Sequence, residues 1–405
     1  ATTTPDHVAE QGSSPTEKTF SGVTPDGVHY FHIISQNGSG LWSNVKHFKI
    51  QIDTTPPAAV AVISSTHASQ TLWYHNNTPT FDWANWHNSR GGDISGITGY
   101  SYTINQTATT TPDDVSEGLA TSYTSPAIAT NGAYYFHIKA KNGAGLWGAA
   151  MHFKFQLDMA DANPPTIGST SHPTQTQWYN IANILASWSV SVPGASGIKG
   201  YSYVIDQVAT TVPSNSTYVT NTSGSWTKSE GSQGIWYLHV RAKSGVEENL
   251  GWSTTSHFTI RIDQTGPDSP GVVVGPVPPW NQDCQPVADK HPVFTISASD
   301  VSGINGYSWI VNDVGSAVPA ATLKTTNSVV SVDMEGMPDS VYYFHVRARN
   351  NSINGSPDTA GVWGSTQHFC FMMDTNPAQA PTVSSDTHPG YSPPRWYSHS
   401  NNVNL

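Results

Sequence analysis

Four pairs of histidines recur along this chain: His32 with His47, His137 with His152, His239 with His257, and His345 with His368. The first member of each pair sits in an alternating run such as Tyr134-Tyr-Phe-His-Ile-Lys-Ala-Lys, and the second in the run that follows. At a period of two, both fall on the parity opposite the apolar residues. If the two runs close a hairpin near Gly145, His137 and His152 stand opposite one another, with Cβ atoms about 5 Å apart. Two imidazoles at that distance could share a soft divalent metal or titrate together below about pH 6.5. A metal centre needs further ligands, and none recurs beside the pairs. The competing reading is therefore an aromatic rib on an outer sheet face.

A second set is Asp53, Asp158, Asp263 and Asp374, each just ahead of a Pro-rich segment. Such carboxylates could ligate Ca²⁺ at junctions between modules; the expectation is otherwise of no cofactor. Calcium takes six to eight oxygens, yet the only linker acids close to these aspartates are Asp161 and Asp268, so Asx turns account for the positions equally well. The loop acids Asp93 and Asp300 recur as Asp-x-Ser-Gly-Ile but become Gly194-Ala-Ser-Gly-Ile in another copy, which suits turn geometry better than a shared site. Cys284 and Cys370 are the only cysteines. In a secreted setting they would form a disulfide worth about 4 to 5 kcal/mol in the chain-entropy model, with two free thiols as the alternative. Trp73-Tyr74, Trp178-Tyr179 and Trp396-Tyr397 either pin a first strand or, if exposed, stack on sugar rings.

Each of these residues lies in a repeated frame. Tyr134-Tyr-Phe-His-Ile-Lys-Ala-Lys-Asn-Gly-Ala-Gly-Leu-Trp-Gly returns with variations from His29, Trp236 and Tyr342. Trp42, Trp147, Trp252 and Trp363 recur at intervals of roughly 105 to 111 residues, a whole-domain period rather than that of a helical solenoid. The frame divides the chain into a C-terminal part of a repeat over 1–53, full repeats over 54–158, 159–263 and 264–374, and an N-terminal part over 375–405. The chain is thus expected to be a window on a longer array. The rival expectation is that the two partial repeats complete one sandwich between successive chains. Proline after each landmark aspartate fixes φ and withholds a donor, favouring short, stiff linkers. Alternation in Thr80-Phe-Asp-Trp-Ala, Gly99-Tyr-Ser-Tyr-Thr-Ile-Asn, 134–141 and 151–157, punctuated by Gly, Asn and Pro, predicts antiparallel strands.

The spacing Tyr134-x-Phe136-x-Ile138-x-Ala140-x-Asn142-x-x-Gly145, with Trp83 or Trp188 in an early strand, resembles the fibronectin type III domain and the immunoglobulin-like repeats of large prokaryotic surface proteins. The resemblance implies an all-β chain of tandem Greek-key β-sandwiches in a beads-on-a-string rod, with Tyr134 and Tyr342 as corner tyrosines. His29 and Trp236 take the corner position in their copies, and Phe294-Thr-Ile-Ser replaces the early Trp. These departures put the corner hydrogen bond in question there.

Composition narrows the function. Only 11% of residues are charged and the net charge is −11 with no long basic run, so nucleic acid is a poor partner. No apolar stretch is long enough to span a membrane as a helix. Gly-x-Ser-x-Gly, His-Glu-x-x-His and phosphate-loop patterns are missing, and four copies of the same loops leave no unique active site. The reading is a non-enzymatic, extracellular or cell-surface repeat protein: a semi-rigid spacer and assembly element of a fibre, sheath or stalk. Its expected partners are copies of itself or neighbouring surface proteins. The alternative is a glycan-binding accessory region of a large secreted polysaccharide-degrading enzyme.

Overall fold

The computed structural model describes residues 3–8, 17–84, 93–227, 233–247, 250–275, 284–354 and 361–382. Trp396 and Tyr397 lie outside them, as does the rest of the 375–405 segment beyond residue 382. Among the described residues every helix or strand is a β-strand, and no helix is long and apolar enough to cross a membrane. The chain divides into two compact units, Ala1–Gly168 with Ser187–Gly224 and Tyr237–Phe258, and Ser169–Ala186 with Ser225–Trp236 and Thr259–Leu405.

Strands β1 (Gly27–Ile33) and β2 (Lys46–Ile52) form an antiparallel hairpin. Seven strands follow: β3 (Ala61–Ser64), β4 (Trp73–Tyr74), β5 (Thr80–Ala84), β6 (Ile97–Asn105), β7 (Ser122–Thr124), β8 (Gly132–Asn142) and β9 (Met151–Leu157). They build a three-stranded sheet, β3-β5-β7, and a four-stranded sheet, β4-β9-β8-β6. The same set recurs as β10 (Thr166–Ser169), β11 (Trp178–Tyr179), β12 (Asn183–Ser189), β13 (Ile198–Asp206), β14 (Ser223–Thr227), β15 (Gly234–Ser244) and β16 (Ser256–Ile262). It recurs again as β17 (Gly271–Gly275), β18 (Gln285–Val287), β19 (Val293–Ser297), β20 (Ile304–Asn312), β21 (Val329–Ser331), β22 (Val341–Asn350) and β23 (Gln367–Met373). The three-on-four strand order is repeated in both cases. The chain is all-β, built of tandem antiparallel sandwiches.

Alternation explains the layers. In β12 the sequence Asn-Ile-Leu-Ala-Ser-Trp-Ser buries every second residue, so one face of the strand meets the core and the other meets solvent. In the β3–β9 sandwich, Phe81 of β5 stacks on Phe136 of β8 with ring centroids 4.3 Å apart, and both are fully buried. Phe294 and Phe344 repeat that stack at 4.2 Å in the β17–β23 sandwich. Burying each ring contributes about 1.5 to 3 kcal/mol. Phe294 therefore matches Phe81, and the smaller Ile296 occupies the place of Trp83 in the next inward position. In the β1–β2 hairpin Phe48, the counterpart of buried Phe153, is 67% exposed because no second sheet covers it among the described residues.

The corner bond survives the substitution at His29. Tyr134 donates its hydroxyl to the Thr130 carbonyl at 3.1 Å, and Tyr342 to the Pro338 carbonyl at 3.0 Å. At the same offset of four residues, His29 Nε2 lies 2.8 Å from the Pro25 carbonyl. An imidazole thus replaces a phenol as donor to a carbonyl at that site.

Candidate functional site

The landmark aspartates end the last strands, β2, β9, β16 and β23, and three of them are gripped by loops of the sandwich that follows. Asp53 Oδ2 accepts from Ser95 Oγ at 2.5 Å and from Asn142 Nδ2 at 2.9 Å. The same amide reaches Asp93 Oδ2 at 2.9 Å and the Thr55 carbonyl at 3.1 Å. The Ser95 bond is the main reason the Asp53 carboxyl is held below its ordinary range. Asp263, fully buried, accepts from Asn350 Nδ2 at 2.8 Å, and that amide also donates to the Thr265 carbonyl at 2.7 Å. Burial, with Asp300 close by, pushes the Asp263 carboxyl up to about 6, against the lowering effect of Ser302.

The remaining gripped aspartate is held differently. Asp158, also fully buried, accepts from the Ser196 amide at 2.8 Å and hydroxyl at 2.6 Å on Oδ2, and from Asn131 Nδ2 at 2.9 Å on Oδ1. Where the other copies carry Asp93 or Asp300 this one has Gly194, whose added Cβ would come 3.1 Å from Asp158 Oδ2. Where they carry Asn142 or Asn350 it has Ser244. The acid and its amide partner are present together or absent together. Asp374 is exposed, with its amide on the Val287 carbonyl at 3.1 Å.

Backbone pairing adds to these contacts. The β4 residue Trp73 forms a parallel bridge with Val246, and Tyr179 of β11 forms one with Ile353. Both partners lie in lengthened loops between the hairpin strands, after β15 and β22. The Trp-Tyr pairs are thereby committed to pairing on both edges: Tyr179 is 1% exposed, and Trp178 lies under the Arg261 guanidinium at 5.6 Å.

The structure brings the predicted histidines together. His32↔His47, His137↔His152 and His345↔His368 are directly opposed in register. Nδ1 of His137 lies 2.7 Å from Nδ1 of His152, with 2.5 Å for His239 and His257 and 2.6 Å for His345 and His368. His32 and His47 make the same contact. The inner rings His137, His239 and His345 are fully buried, whereas His47, His257 and His368 are exposed. The pairs are thus half inside the protein, and each inner ring stacks on the tyrosine two positions before it, Tyr135, Tyr237 or Tyr343, with centroids 5.9 to 6.1 Å apart. Burial first, and the neighbouring ring second, hold His137, His257 and His345 below the usual imidazole range.

Behind each inner ring stands an oxygen that the sequence reading did not single out. His137 Nε2 meets Asn105 Oδ1 at 3.2 Å, His239 Nε2 meets Asp206 Oδ1 at 3.3 Å, and His345 Nε2 meets Asn312 Oδ1 at 3.1 Å. Each oxygen also accepts a backbone N–H two residues on, from Thr107, Val208 and Val314. An acceptor so occupied requires the proton on Nε2 of the inner ring, which leaves its Nδ1 lone pair facing the outer ring.

Cys284 and Cys370 are disulfide-bonded, with Cα atoms 4.6 Å apart, tying the entry of β18 to β23. Among the described residues no cluster of three or more His, Cys, Asp or Glu is disposed around a metal position. At Asp53 and Asp263 the asparagine amide bridges the carboxylate and a linker carbonyl oxygen. Ser95 and Ser196 were legible only as turn residues, yet they donate to the aspartates. The signal that marks them is internal: Asp93 with Asn142, Gly194 with Ser244 and Asp300 with Asn350 vary as pairs among the copies.

No family model matches the chain, and no curated protein does. Solved structures similar to it include the chicken CNTN1 FN1-FN3 domains, at 16% identity and TM-score 0.25, covering 78% of this chain and 99% of that one. The fibronectin(III)-like modules of Clostridium thermocellum CbhA align at 15% identity and TM-score 0.25, covering 50% of this chain and 94% of that one.

Proposed function

We propose that this chain is a non-catalytic segment of an extracellular repeat protein, in which successive sandwiches act as a spacer with stiffened junctions. The proposed repeats run over 54–158, 159–263 and 264–374. The observation that carries the reading is the burial of Asp158 and Asp263 under donors of the following sandwich, each at the end of a strand that opens into a Pro-containing linker. A junction built from a buried, hydrogen-bonded carboxylate resists bending because opening it strands donors and acceptors away from their partners. The linkers add to this. A Cβ at Gly148 or Gly364 would run into the Pro57 or Pro267 carbonyl, so each linker lies in a seat that only glycine leaves open.

The disulfide supports an oxidising compartment. Lateral assembly with copies of itself or with neighbouring surface proteins fits the low density of charge. The test is immunoelectron microscopy of unpermeabilised producing cells with antibody raised against the chain. Label along surface fibres or a sheath is the expected result. Label confined to the cell interior would overturn the reading. A glycan-array signal lost on substituting exposed aromatics would replace it with a binding role.

A further inference from the structure

We propose that each cross-strand histidine pair is a two-imidazole site for a divalent transition ion of the Cu²⁺, Ni²⁺ and Zn²⁺ class. The ion would bind through both Nδ1 atoms, with water in the remaining positions. Three features of the pairs build such a site.

The donors converge. Opposed register sets the two Nδ1 atoms 2.5 to 2.7 Å apart in three copies, with rings at 73° to 78° to one another. Two ring nitrogens are thereby brought to one place.

The inner ring is oriented in advance. Its Nε2–H is fixed by Asn105, Asp206 or Asn312, whose accepting oxygen is itself held by a backbone amide. A metal-bound histidine characteristically donates its other ring N–H to such an acceptor, which sets its tautomer. The same acceptor satisfies the buried Nε2–H of the inner ring, and the arrangement is built three times.

The outer ring is free to adapt. His257 and His368 are exposed. Each outer ring now donates Nδ1–H to its partner; on binding, that proton leaves Nδ1 and is taken up at the outer ring's own Nε2, so the neutral pair gains the ion without net loss of a proton. Metal–nitrogen distances of about 2.0 to 2.1 Å require the two Nδ1 atoms to part to roughly 3.3 Å, a small rotation of the outer ring. Imidazole nitrogen selects against Mg²⁺ and Ca²⁺, which take oxygen, and the Irving–Williams order places Cu²⁺ first. Because no third side-chain ligand stands beside the pairs among the described residues, the bound ion keeps open positions. It can accept a ligand from a neighbouring molecule there.

The test compares the whole chain with the variant H47Q/H152Q/H257Q/H368Q, in which an amide can still donate to the inner Nδ1. After equilibrium dialysis against Cu²⁺ or Zn²⁺, bound metal is counted by elemental analysis. The variant is expected to hold about four fewer ions per chain, one for each lost pair, with no difference for Mg²⁺ or Ca²⁺. Equal uptake by the two proteins would overturn the proposal. Should the variant fail to fold, long-range ¹H–¹⁵N NMR of the unaltered chain decides the matter. Zn²⁺ should move the Nδ1 resonances of His137, His239 and His345 and transfer the outer-ring proton to Nε2; resonances that stay in place would overturn it.

Discussion

Asp158 and Asp263 hold the same place in the repeat and are equally buried, yet they are satisfied in opposite ways. Asp158 faces only donors: two from Ser196, one from Asn131 and the Ala160 amide, with Gly194 leaving room for it. Asp263 shares its neighbourhood with a second acid, Asp300, and one Oδ atom has no partner. The Asn350 amide bridges its other oxygen to a carbonyl. Burial alone therefore does not tell what a carboxylate contributes. The first is a lock held by hydrogen-bond donors, and the second is poised to take up a proton.

The largest effect that sharpens this contrast comes from the disulfide, present in the β17–β23 sandwich and not in the β3–β9 one. C284S/C370S should cost about 4 to 5 kcal/mol, read as loss of hydrogen-exchange protection in β22 and β23 but not in β8 and β9. Next is D158A, which takes the acceptor away from Ser196, Asn131 and the Ala160 amide and should destabilise its junction by about 2 to 4 kcal/mol. D263N exchanges a carboxylate that is raised by burial for a neutral amide, and should cost less than about 1 kcal/mol at pH 7.5. Urea denaturation followed by exchange at each junction separates the two. Equal losses would erase the distinction drawn between them.

G194D places an acid beside Asp158 without its usual amide, at an expected cost of about 1 to 3 kcal/mol. Adding S244N supplies the Asn142 or Asn350 equivalent and should recover part of that loss. A double variant no better than the single would mean that the paired variation among the copies is incidental.

The smallest effects are in pH. Asp263 titrates at about 6 when folded against an ordinary value of 3.8, so the folded state binds more protons between those values. Its junction should gain stability as the pH falls through about 6, and the gain should be complete near 3.8. D263N should abolish it. His137 and His345 are lowered from 6.5, so the unfolded chain binds more protons there. The stability of their strands should fall as the pH drops below 6.5 towards the folded values. Exchange protection, taken relative to the intrinsic rate at each pH, should therefore move in opposite directions at β22 and at the Asp263 junction between pH 7.5 and 5.

Much of this was legible in the sequence. The strict alternation of 134–141 specifies which residues face the core, and a cross-strand partner follows from hairpin closure, so His137 opposite His152 could be named from spacing. The oxygens behind the inner rings could not, because β6 and β8 pair across a register shift between Ile97 and Gly99 that has no signature in the residues. The junctions were read only by half. Asp158 announced itself by position before the prolines. Its partner Asn131 follows from the β8–β9 register, in which Gly132 faces Leu157, whereas Ser196 comes from a loop whose meeting with it depends on how one sandwich follows another, and no periodicity encodes that.

The most direct test of a stiffened junction is the distance distribution between spin labels on either side of Asp158. Leu119 and Val212 are both 62% exposed and suit cysteine substitution. The account predicts one narrow distribution in the otherwise unaltered chain, broadening when D158A is added. A broad distribution that D158A leaves unchanged would show that the aspartate is a bystander at a flexible hinge, and would contradict the account.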